Sequence, residues 1–288
     1  MTGLTVAITG SQGYVGRHIA RAAAEVGYEV LALDRHRPLD GAWRFYDLAR
    51  GPDSDLFRGV DAVVHCAYDL SLTSAADIAR VNVGGTQRLL AAAASANAGF
   101  CLISSMSAYA GTRQLYGRAK LACERDVLGR QGQVVRLGLV YGPAPGGMIA
   151  ALSRIAGLPV VPVIGSSSGQ FTVHASDMAS AVLRLIENPA EAGEAIGLAH
   201  PVAVKFPDII RALAANRGNH PVLVPIPWAP VYGVMRAAEA LSLQLPIRAD
   251  SVLGLVRPAS HVPNLQVWDR LGANIRAFDA AALSAGDA

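Results

Sequence analysis

"TGSQGYVG", residues 9–16, follows the apolar run "LTVAI" at 4–8, and this stretch decides the fold. An apolar run, three closely spaced glycines and an amphipathic stretch predict a strand that turns sharply into a helix. Gly10 would allow the turn, Gly13 would let the backbone approach a pyrophosphate, and Gly16 would let the helix pack on the sheet. The stretch therefore predicts the phosphate-binding turn of a dinucleotide site.

An acidic residue supports this prediction. Asp34 ends the second apolar run, "EVLALD" at 29–34, and lies 18 residues beyond Gly16. In a dinucleotide site, an acid at this place accepts hydrogen bonds from the adenosine ribose hydroxyls and repels a 2′-phosphate. Arg35 and Arg37 follow it and could accommodate that phosphate. We therefore expect NAD as the cofactor, with NADP as the less favoured alternative.

The first half of the chain alternates apolar runs with Ala-rich amphipathic stretches. The further runs are "DAVVHCA" at 61, "FCLISS" at 100 and "QVVRLGLV" at 133, and the helical stretches are 14–26, 75–98 and 115–129. Near-continuous apolar runs are typical of strands that are buried on both faces. Their alternation with helices predicts an α/β fold with a doubly wound parallel (Rossmann) sheet.

The pattern changes after residue 142, where loop-like segments and prolines become frequent. A helix predicted at 176–188 still belongs with the sheet. We expect residues 1–142 and about 173–198 to form the dinucleotide-binding domain. Residues from about 143 to 172 and from 199 to 288 would form a smaller, mostly helical substrate-binding lobe. It would lie over the carboxyl edge of the sheet, where open α/β sheets bind ligands.

Composition and charge exclude several classes of protein. The net charge is only +3 and there is no basic run, so neither nucleic acid nor a membrane surface is an expected partner. The uncharged stretch 222–235 is too short to span a bilayer and is interrupted by prolines. The three cysteines lack paired or metal-ligand spacing, and the first residues lack a signal-peptide pattern. We therefore expect reduced thiols, no bound metal and a cytoplasmic location.

The segment "YGRAK" at 116–120 places Tyr116 and Lys120 one turn apart on one face of a predicted helix. Such a pair is common on helix surfaces and indicates little by itself. Ser105 makes the Tyr116–Lys120 pair more informative, because this serine ends the strand "FCLISS" at the edge of the sheet where a cofactor would lie. The three residues together predict a proton-transfer site.

Taken in order, these motifs resemble those of the extended short-chain dehydrogenases/reductases, in particular the NAD-dependent epimerase/dehydratase family. The matching segments are "TGSQGYVG" at 9, Asp34, "DL" at 47, "DAVVHCA" at 61, "NVGGT" at 82, "SSMSAY" at 104, "YGRAK" at 116, "RLGLVYGP" at 136 and "FTVHASD" at 171. The resemblance covers the chain to about residue 180. Beyond that point the chain is similar to the family in general character but contains no matching motif.

The resemblance implies a role for each residue of the proton-transfer site. Tyr116 would be the general acid/base that exchanges a proton with a substrate hydroxyl or carbonyl, while hydride passes to or from the nicotinamide. Because a free tyrosine has a pKa of about 10, a nearby ammonium and the positive nicotinamide ring would have to favour the phenolate. Lys120 would supply that ammonium and bond the nicotinamide ribose. Ser105 would donate a hydrogen bond to the substrate oxygen.

The family pattern also selects among the serines. Its Ser/Thr lies four residues before a tyrosine of a "VYG"-type segment, and Tyr109 fills that position here. This spacing favours Ser105 over Ser104 and Ser107.

The resemblance further implies which residues contact the cofactor. The full set is Gly10, Gln12, Gly13, Tyr14, Val15, Gly16, Asp34, Arg35, Asp47, Leu48, Cys66, Ala67, Tyr68, Asn82, Tyr116 and Lys120. Asp47 and Leu48 would border the adenine, and residues 66–68 would pass the pyrophosphate and ribose. Asn82 would brace the active-site helix through backbone contacts; the alternative is an exposed polar residue.

Two histidines are expected to be structural. His65 lies in a strand predicted to be buried, so it is interpreted as a hydrogen-bonded core residue rather than a base. His174 lies in "FTVHASD", where Ser176 or Asp177 is expected to cap the next helix.

Three interpretations of the function remain open. The first is an NAD-dependent enzyme acting on a nucleotide sugar, either an epimerase through a transient 4-keto sugar or a reductase or dehydratase. The second is an NAD(P)-dependent reductase or dehydrogenase of a more apolar carbonyl or alcohol, favoured by Trp228, Tyr232 and Met235 in the apolar C-terminal lobe. The third is a non-catalytic NAD-binding subunit, which the retained Tyr–Lys pair disfavours.

Two departures from nucleotide-sugar enzymes of the family bear on this choice. The segment between Ser105 and Tyr116 is short, and Gln170 stands where many of them place an arginine that binds the substrate pyrophosphate. Another arginine could substitute; the candidates are Arg154, Arg248 and Arg257. In this family the helices predicted at about 75–98 and 115–129 often pair with their copies, so the Ala-rich faces here predict a homodimer.

Overall fold

A computed structural model describes residues 3–164, 168–191, 193–241, 243 and 249–283 of the chain. Within these residues, seven strands form one sheet. Along the chain they are β1 (Thr5–Thr9), β2 (Glu29–Asp34), β3 (Ala42–Phe45), β4 (Ala62–His65), β5 (Gly99–Ser105), β6 (Gln133–Leu137) and β11 (Ala195–Leu198). Their order across the sheet is β3-β2-β1-β4-β5-β6-β11, and every neighbouring pair is parallel. The predicted doubly wound α/β fold is confirmed.

Helices and short strands make up the rest of the described chain. The helices are α1 (Tyr14–Glu25), α2 (Ala75–Ile78), α3 (Gly84–Ser95), α4 (Leu115–Leu128), α5 (Gly147–Ile155), α6 (Ala175–Ile186), α7 (Phe206–Ala215), α8 (Trp228–Ala240), α9 (Ala249–Val256) and α10 (Gln266–Arg270). The short strands are β7 (Leu139–Tyr141), β8 (Val160–Val163), β9 (Gly169–Gln170), β10 (Thr172–His174), β12 (Val204–Lys205) and β13 (Val222–Pro225). A π-helical turn, Ala79–Val83, joins α2 to α3, and 3-10 turns lie at Pro189–Glu191 and Ala281–Leu283.

Alternate residues of the buried strands supply the two cores of the sheet. On one face, Ile8 of β1 belongs to a fully buried cluster with Ile19 of α1 and Val182 of α6. On the other face, Leu33 of β2 belongs to a second cluster with Leu89 of α3. The near-continuous apolar runs are therefore buried on both faces, as their pattern predicts.

A third buried cluster lies outside the sheet. Ile149 and Leu152 of α5 pack there with Ile209 and Leu213 of α7. These residues fall within the segments predicted to form the substrate-binding lobe. Trp268 of α10 instead belongs to the first core of the sheet, and its Nε1 donates to the carbonyl of Gly197 at 2.6 Å.

The sequence pattern predicts a single strand over the apolar run at 133–140. The structure instead has two strands, β6 and β7, because the chain changes partners at Gly138. The amide of Gly138 donates to Leu198, whereas the amide of Leu139 donates to Phe171. A β-carbon at position 138 would lie 2.5 Å from the carbonyl oxygen of Phe171, so only glycine fits this crossing. β7 accordingly pairs with β10 rather than continuing in the main sheet.

The ligand crevice follows from the strand order. β1 lies between β2 and β4: the chain runs outward from β1 through β2 to β3 and then crosses back to β4 on the other side of β1. Open α/β sheets bind ligands at such a switch point, beyond the carboxyl ends of the strands. Here those ends are Thr9 of β1 and His65 of β4.

Candidate active site

The glycine turn has the close contacts that its sequence predicts. Gly10 has a φ of +65°, and a β-carbon there would lie 3.1 Å from the backbone of Ala67. A β-carbon at Gly16 would lie 2.2 Å from the carbonyl oxygen of Gly10, so the start of α1 can approach the turn only without a side chain. Gly13 is the N-cap of α1, and the first turn of that helix contains no acidic residue. The positive end of the α1 dipole therefore faces the crevice, as an anionic pyrophosphate requires.

Asp34 is held beside this turn. Its carboxylate accepts a hydrogen bond from Ser11 Oγ, and Gln12 Nε2 donates to the carbonyl of His36 at 2.7 Å. Burial raises the pKa of the Asp34 carboxyl, and hydrogen bonds from Ser11 and the backbone of Gln12 oppose that shift. Arg35 is exposed. Asp34, the predicted ribose-binding acid, thus lies beside the loop that joins β1 to α1.

The predicted adenine border is rigidly built. Asp47 Oδ1 accepts from the amides of Ala49 at 2.7 Å and Arg50 at 3.2 Å, so this carboxylate closes its own turn. Leu48 is fixed against α3, because a β-carbon at Gly85 would lie 2.5 Å from its carbonyl oxygen.

Beyond β4, a buried chain of hydrogen bonds sets the backbone next to Gly10. Thr9 Oγ1 accepts from the amides of Cys66 and Ala67, both at 3.1 Å. It lies 2.7 Å from His65 Nδ1, and His65 Nε2 lies 2.9 Å from Thr86 Oγ1. His65 is only 1% exposed, and burial together with the charge of Lys120 lowers its pKa to about 3. His65 is therefore the neutral, hydrogen-bonded core residue that the sequence predicts.

Asn82 fixes the next part of the same segment. Its Oδ1 accepts from the amide of Asp69 at 2.7 Å and its Nδ2 donates to the carbonyl of Asp69 at 3.1 Å. Asn82 lies in the π-helical turn and is 1% exposed, so the alternative of an exposed polar residue is wrong. Its bonds lead to the backbone after Tyr68 rather than to the active-site helix, which corrects the expected bracing contact.

The predicted tyrosine and lysine meet at the start of α4. Lys120 Nζ donates to the carbonyl of Ile103 at 2.8 Å. It lies 5.9 Å from the centre of the Tyr116 ring and 5.0 Å from that of Tyr68. The rings of Tyr68 and Tyr116 are 4.9 Å apart in an edge-to-face arrangement. A largely buried ammonium is thus held by a strand carbonyl beside two phenol rings.

Ser105 ends β5 on the same edge of the sheet. Its Oγ accepts from the amide of Ser107 at 3.1 Å, so its own hydrogen can be donated to another oxygen. Ser104 is buried and donates to Glu124 Oε1 at 2.5 Å. Of the two neighbouring serines, Ser104 is therefore engaged by the buried Glu124, and Ser105 is the one that stays partly exposed.

Sequence inspection missed the partners that hold α4. Glu124 pairs with Arg136 of β6 at 2.6 Å, and its side chain is 3% exposed. Asp250 of α9 accepts from the amides of Leu115 at 2.8 Å and Tyr116 at 2.9 Å. No local pattern could have identified Asp250, since it contacts a helix 135 residues away.

The N-terminus of α6 differs from the sequence prediction. The capping residue is His174, whose Nδ1 accepts from the amide of Ser176 at 3.3 Å. Asp177 instead binds Arg276, with its Oδ1 2.6 Å from the guanidinium. Because α6 begins at Ala175, Ser176 and Asp177 lie within its first turn, and the expected cap by Ser176 or Asp177 is wrong.

On the substrate side, α9 contacts several of the predicted residues. Tyr109 donates its hydroxyl to the carbonyl of Arg257 at 2.8 Å, and Gln170 Nε2 donates to Leu255 at 3.4 Å. The Arg257 guanidinium lies 5.9 Å from the centre of the Trp228 ring. Arg154 Nε donates to a carbonyl of its own helix, and Arg248 lies outside the described residues.

Two kinds of feature are absent from the part of the chain that the structure describes. It contains no group of three or more His, Cys, Asp or Glu side chains that could hold a metal ion. None of its helices combines the length and the apolar character that crossing a membrane demands.

Comparison with known proteins agrees with this geometry. The model of the NAD dependent epimerase/dehydratase family matches residues 6–199. A ceramide reductase of Caulobacter vibrioides is 28% identical over 238 residues, covering 77% of this chain and 73% of that protein. A dTDP-4-dehydrorhamnose reductase of Mycolicibacterium smegmatis is 28% identical over 274 residues, covering 82% and 80%. Among solved structures, MoeE5 in complex with UDP-glucose and NAD is similar with a TM-score of 0.72 at 22% identity, covering 97% and 96%.

Proposed function

This chain belongs to the NAD-dependent epimerase/dehydratase family and is an enzyme of the extended short-chain dehydrogenase/reductase type, and from that premise we propose that it interconverts a secondary alcohol and a ketone with NAD(H). The observation that carries the proposal is the pairing of Tyr116 with Lys120, whose Nζ lies 5.9 Å from the centre of the Tyr116 ring and is held by Ile103 in β5, the strand that Ser105 ends. When bound, NAD(H) supplies or accepts the hydride.

The cofactor fits residues of this chain. The glycine cradle at Gly10 and Gly16, which a β-carbon would fill, suits a pyrophosphate at the start of α1. Asp34, beside that cradle, would hold the ribose hydroxyls, and its carboxylate favours NAD over NADP. The backbone of Cys66 and Ala67, fixed by Thr9, would border the same site.

The residues of the chain would handle the proton. Tyr116 would give its phenolic proton to the oxygen of a ketone during reduction and take it back during oxidation. Lys120, anchored to Ile103, would place its positive charge beside the Tyr116 ring and bond the nicotinamide ribose. Ser105 would donate its hydroxyl hydrogen to the same substrate oxygen and stabilise its developing charge.

A nucleotide sugar is the first substrate class that we propose. Support comes from a relative named as a dTDP-4-dehydrorhamnose reductase, which aligns with 82% of this chain. The substrate diphosphate would need a cation, and Arg257 is the best candidate. Arg257 directly follows α9. Its carbonyl accepts a hydrogen bond from Tyr109, which belongs to the segment that leads to Tyr116, so Arg257 lies close to the proposed catalytic segment. Depending on the fate of the keto sugar, the net reaction would be reduction, epimerisation or dehydration.

A more apolar carbonyl or alcohol is the second candidate. Trp228 and Tyr232 of α8 lie with ring centres 6.2 Å apart, and Val234 on the same helix is 68% exposed. A relative named as a ceramide reductase aligns with 77% of this chain. Such a substrate would need apolar contacts from α8 and no cation at Arg257.

The choice can be made by a substrate screen followed by one substitution. The purified protein is incubated with NADH or NAD and either UDP- and dTDP-sugars or long-chain ketones and alcohols. Absorbance at the NADH band detects net redox, and chromatography detects an epimer or a dehydrated sugar. If a nucleotide sugar is the substrate, Arg257→Gln should raise its KM by at least about tenfold, the loss expected for one charge-assisted bond. An unchanged KM for a nucleotide sugar would contradict the role of Arg257.

The catalytic assignment is tested on whichever substrate is found. Tyr116→Phe keeps the ring but removes the acid/base group, so turnover should fall at least about a hundredfold while NADH binding survives. Lys120→Met should weaken both turnover and NADH binding, and Ser105→Ala should lower turnover alone. Tyr109→Phe is the control: it removes one bond to the carbonyl of Arg257 and should lower turnover much less than Tyr116→Phe does. Near-full activity in Tyr116→Phe with loss in Tyr109→Phe would show that the wrong tyrosine has been chosen.

A further inference from the structure

The helix that carries the tyrosine and lysine begins without a cap of its own. Gln114 is the N-cap residue of α4, and its side chain makes no capping hydrogen bond. The first amides of an α-helix have no partner within the helix, so they need an acceptor from elsewhere. Both oxygens of Asp250 fill this need, at 2.8 Å from the amide of Leu115 and 2.9 Å from that of Tyr116.

Asp250 belongs to a helix that touches the segment before Tyr116 at several points. A β-carbon at Gly254 of α9 would lie 3.1 Å from Gln114 Oε1, so α9 packs directly on the N-cap of α4. Just past α9, the carbonyl of Arg257 accepts from Tyr109. The carbonyl of Leu255 accepts from Ser168 Oγ at 2.5 Å. α9 therefore bridges the catalytic segment and the strands of the neighbouring lobe.

α9 is in turn held by α8. Glu239 of α8 accepts from the amide of Ala249, the first residue of α9, at 2.9 Å. A carboxylate on α8 thus caps α9, and a carboxylate on α9 caps α4. These two hydrogen-bonded caps connect α8, which carries Trp228 and Tyr232, through α9 to the backbone of Tyr116.

We propose that Asp250 is a positioning residue for Tyr116, and that it makes the correct placement of the Tyr116–Lys120 pair depend on the docking of α8 and α9 against α4. This inference rests on the proposed function, because it assigns the proton-transfer role to Tyr116. The residue acts through the backbone of α4 and does not touch the reacting atoms. In such an enzyme, Tyr116 is correctly placed for proton transfer only when α8 and α9 are docked against α4.

The physical basis is the sensitivity of proton transfer to geometry. Tyr116 is the second residue of α4, where a helix frays unless its amides are bonded. Lys120 lies one turn further in and is fixed by Ile103. Loss of the Asp250 bonds would therefore loosen the tyrosine relative to the lysine. A misplacement of about 1 Å in an active site can lower a rate about a hundredfold.

Four variants separate this coupling from simple helix capping. Asp250→Ala removes both acceptors, and Asp250→Asn keeps one carbonyl oxygen as an acceptor. Gln114→Ser, in the Asp250→Ala background and also alone, supplies a local cap at a position whose extended backbone suits one. The readouts are hydrogen exchange of the Leu115 and Tyr116 amides, the thermal midpoint, and kcat and KM for the substrate from the screen.

Asp250→Ala should accelerate exchange of the two amides at least about fivefold, the change expected for a lost cap. It should lower kcat at least about tenfold, with little change in NADH affinity. Adding Gln114→Ser should restore protection of the Tyr116 amide, which a serine N-cap can reach, but should recover kcat only in part, since a local cap does not tie α9 to α4. Full recovery of kcat in this double variant would overturn the proposal, and so would unchanged exchange and kcat in Asp250→Ala.

The Asp250→Asn variant and two further ones, Glu239→Ala and Asp208→Ala, keep the test decisive. If Asp250→Ala does not fold, Asp250→Asn should show intermediate exchange and intermediate kcat, and values equal to those of the unmutated protein would overturn the proposal. Glu239→Ala does not touch α4, yet it should accelerate exchange of the Leu115 and Tyr116 amides by releasing α9. Asp208→Ala, at an exposed ion pair on α7, is the control and should leave both amides unchanged.

The exchange measurements need no substrate. If the unmutated protein turns over none of the compounds in the screen, the proposed function fails while the exchange experiment still reports on Asp250. If turnover is found but Glu239→Ala and Asp250→Ala leave the exchange of α4 unchanged, the coupling fails and the proposed function stands.

Discussion

Lowering the pH from 7 to 5 should destabilise this protein through His65, because the fold holds its imidazole neutral. Thr86 Oγ1 donates to the carbonyl of Asn82 at 2.8 Å, so it receives its bond from a hydrogen on His65 Nε2. His65 Nδ1 is then the acceptor from the hydroxyl of Thr9. A second proton on the ring would break that bond within a fully buried site. Burial first, and the charge of Lys120 second, lower the pKa of His65 to about 3.

The size of the effect follows from the two pKa values. A histidine in the unfolded chain titrates at about 6.5. The folded-state pKa is lower, so the unfolded chain binds more protons in the window between the two values, and stability falls as the pH drops below about 6.5. For His65 alone, a folded pKa of about 3 gives a loss of about 2 kcal/mol at pH 5. Burial also lowers the pKa of His174, which adds a loss of the same sign.

The assay is chemical denaturation at pH 7, 6 and 5. His65→Asn keeps an acceptor for Thr9 but cannot titrate. Because asparagine is smaller than the buried imidazole, the variant should be less stable than the unmutated protein at pH 7. Between pH 7 and 5, however, its free energy of unfolding should fall by about 2 kcal/mol less. His36→Asn, at an exposed position, is the control and should retain the full pH dependence. Equal losses of stability in the unmutated protein and His65→Asn would refute the reasoning that His65 is held neutral.

Three further results are expected. Asp34→Ala, with Arg35 retained, should narrow or reverse the preference for NAD(H) over NADP(H) in binding titrations; NADP(H) bound about tenfold tighter by the unmutated protein would contradict the role of the acid. Gly16→Ala should lower the thermal midpoint and abolish NADH binding, because its β-carbon would meet Gly10, whereas Gly233→Ala on α8, where nothing lies within 4 Å, should not. We also expect a homodimer through α3 and α4, which light scattering at micromolar concentration can test, and a monomer there would exclude it.

The parts that could be predicted from the sequence are those written in local patterns. Apolar runs predicted β1, β2, β4, β5 and β6, because strands buried on both faces must be apolar throughout. The glycine turn was predicted because Gly10 and Gly16 meet requirements set within a few residues of chain. β3 was missed, since its residues are exposed or only half-buried at the edge of the sheet and show no buried run.

Other features depend on contacts between distant segments. The strand break at Gly138 arises because Leu198 and Phe171 compete for successive amides. Likewise, Asp177 in the first turn of α6 pairs with Arg276, which lies 99 residues further along the chain. Neither partner could be chosen from the sequence, because the packing of the whole chain decides which side chains and carbonyls lie within reach.

The candidate site divides in the same way. By itself the sequence determined the strands β1, β2, β4, β5 and β6, the glycine turn and the placement of Tyr116 and Lys120 one turn apart, since helical periodicity fixes which residues share a face. Only the tertiary structure decided that Ser104 turns inward to Glu124, that Asn82 braces Asp69, and that Asp250 holds the start of α4. The physical reason is that backbone conformation is encoded locally, whereas the partners of a polar side chain are settled by the packing of segments far apart in the chain.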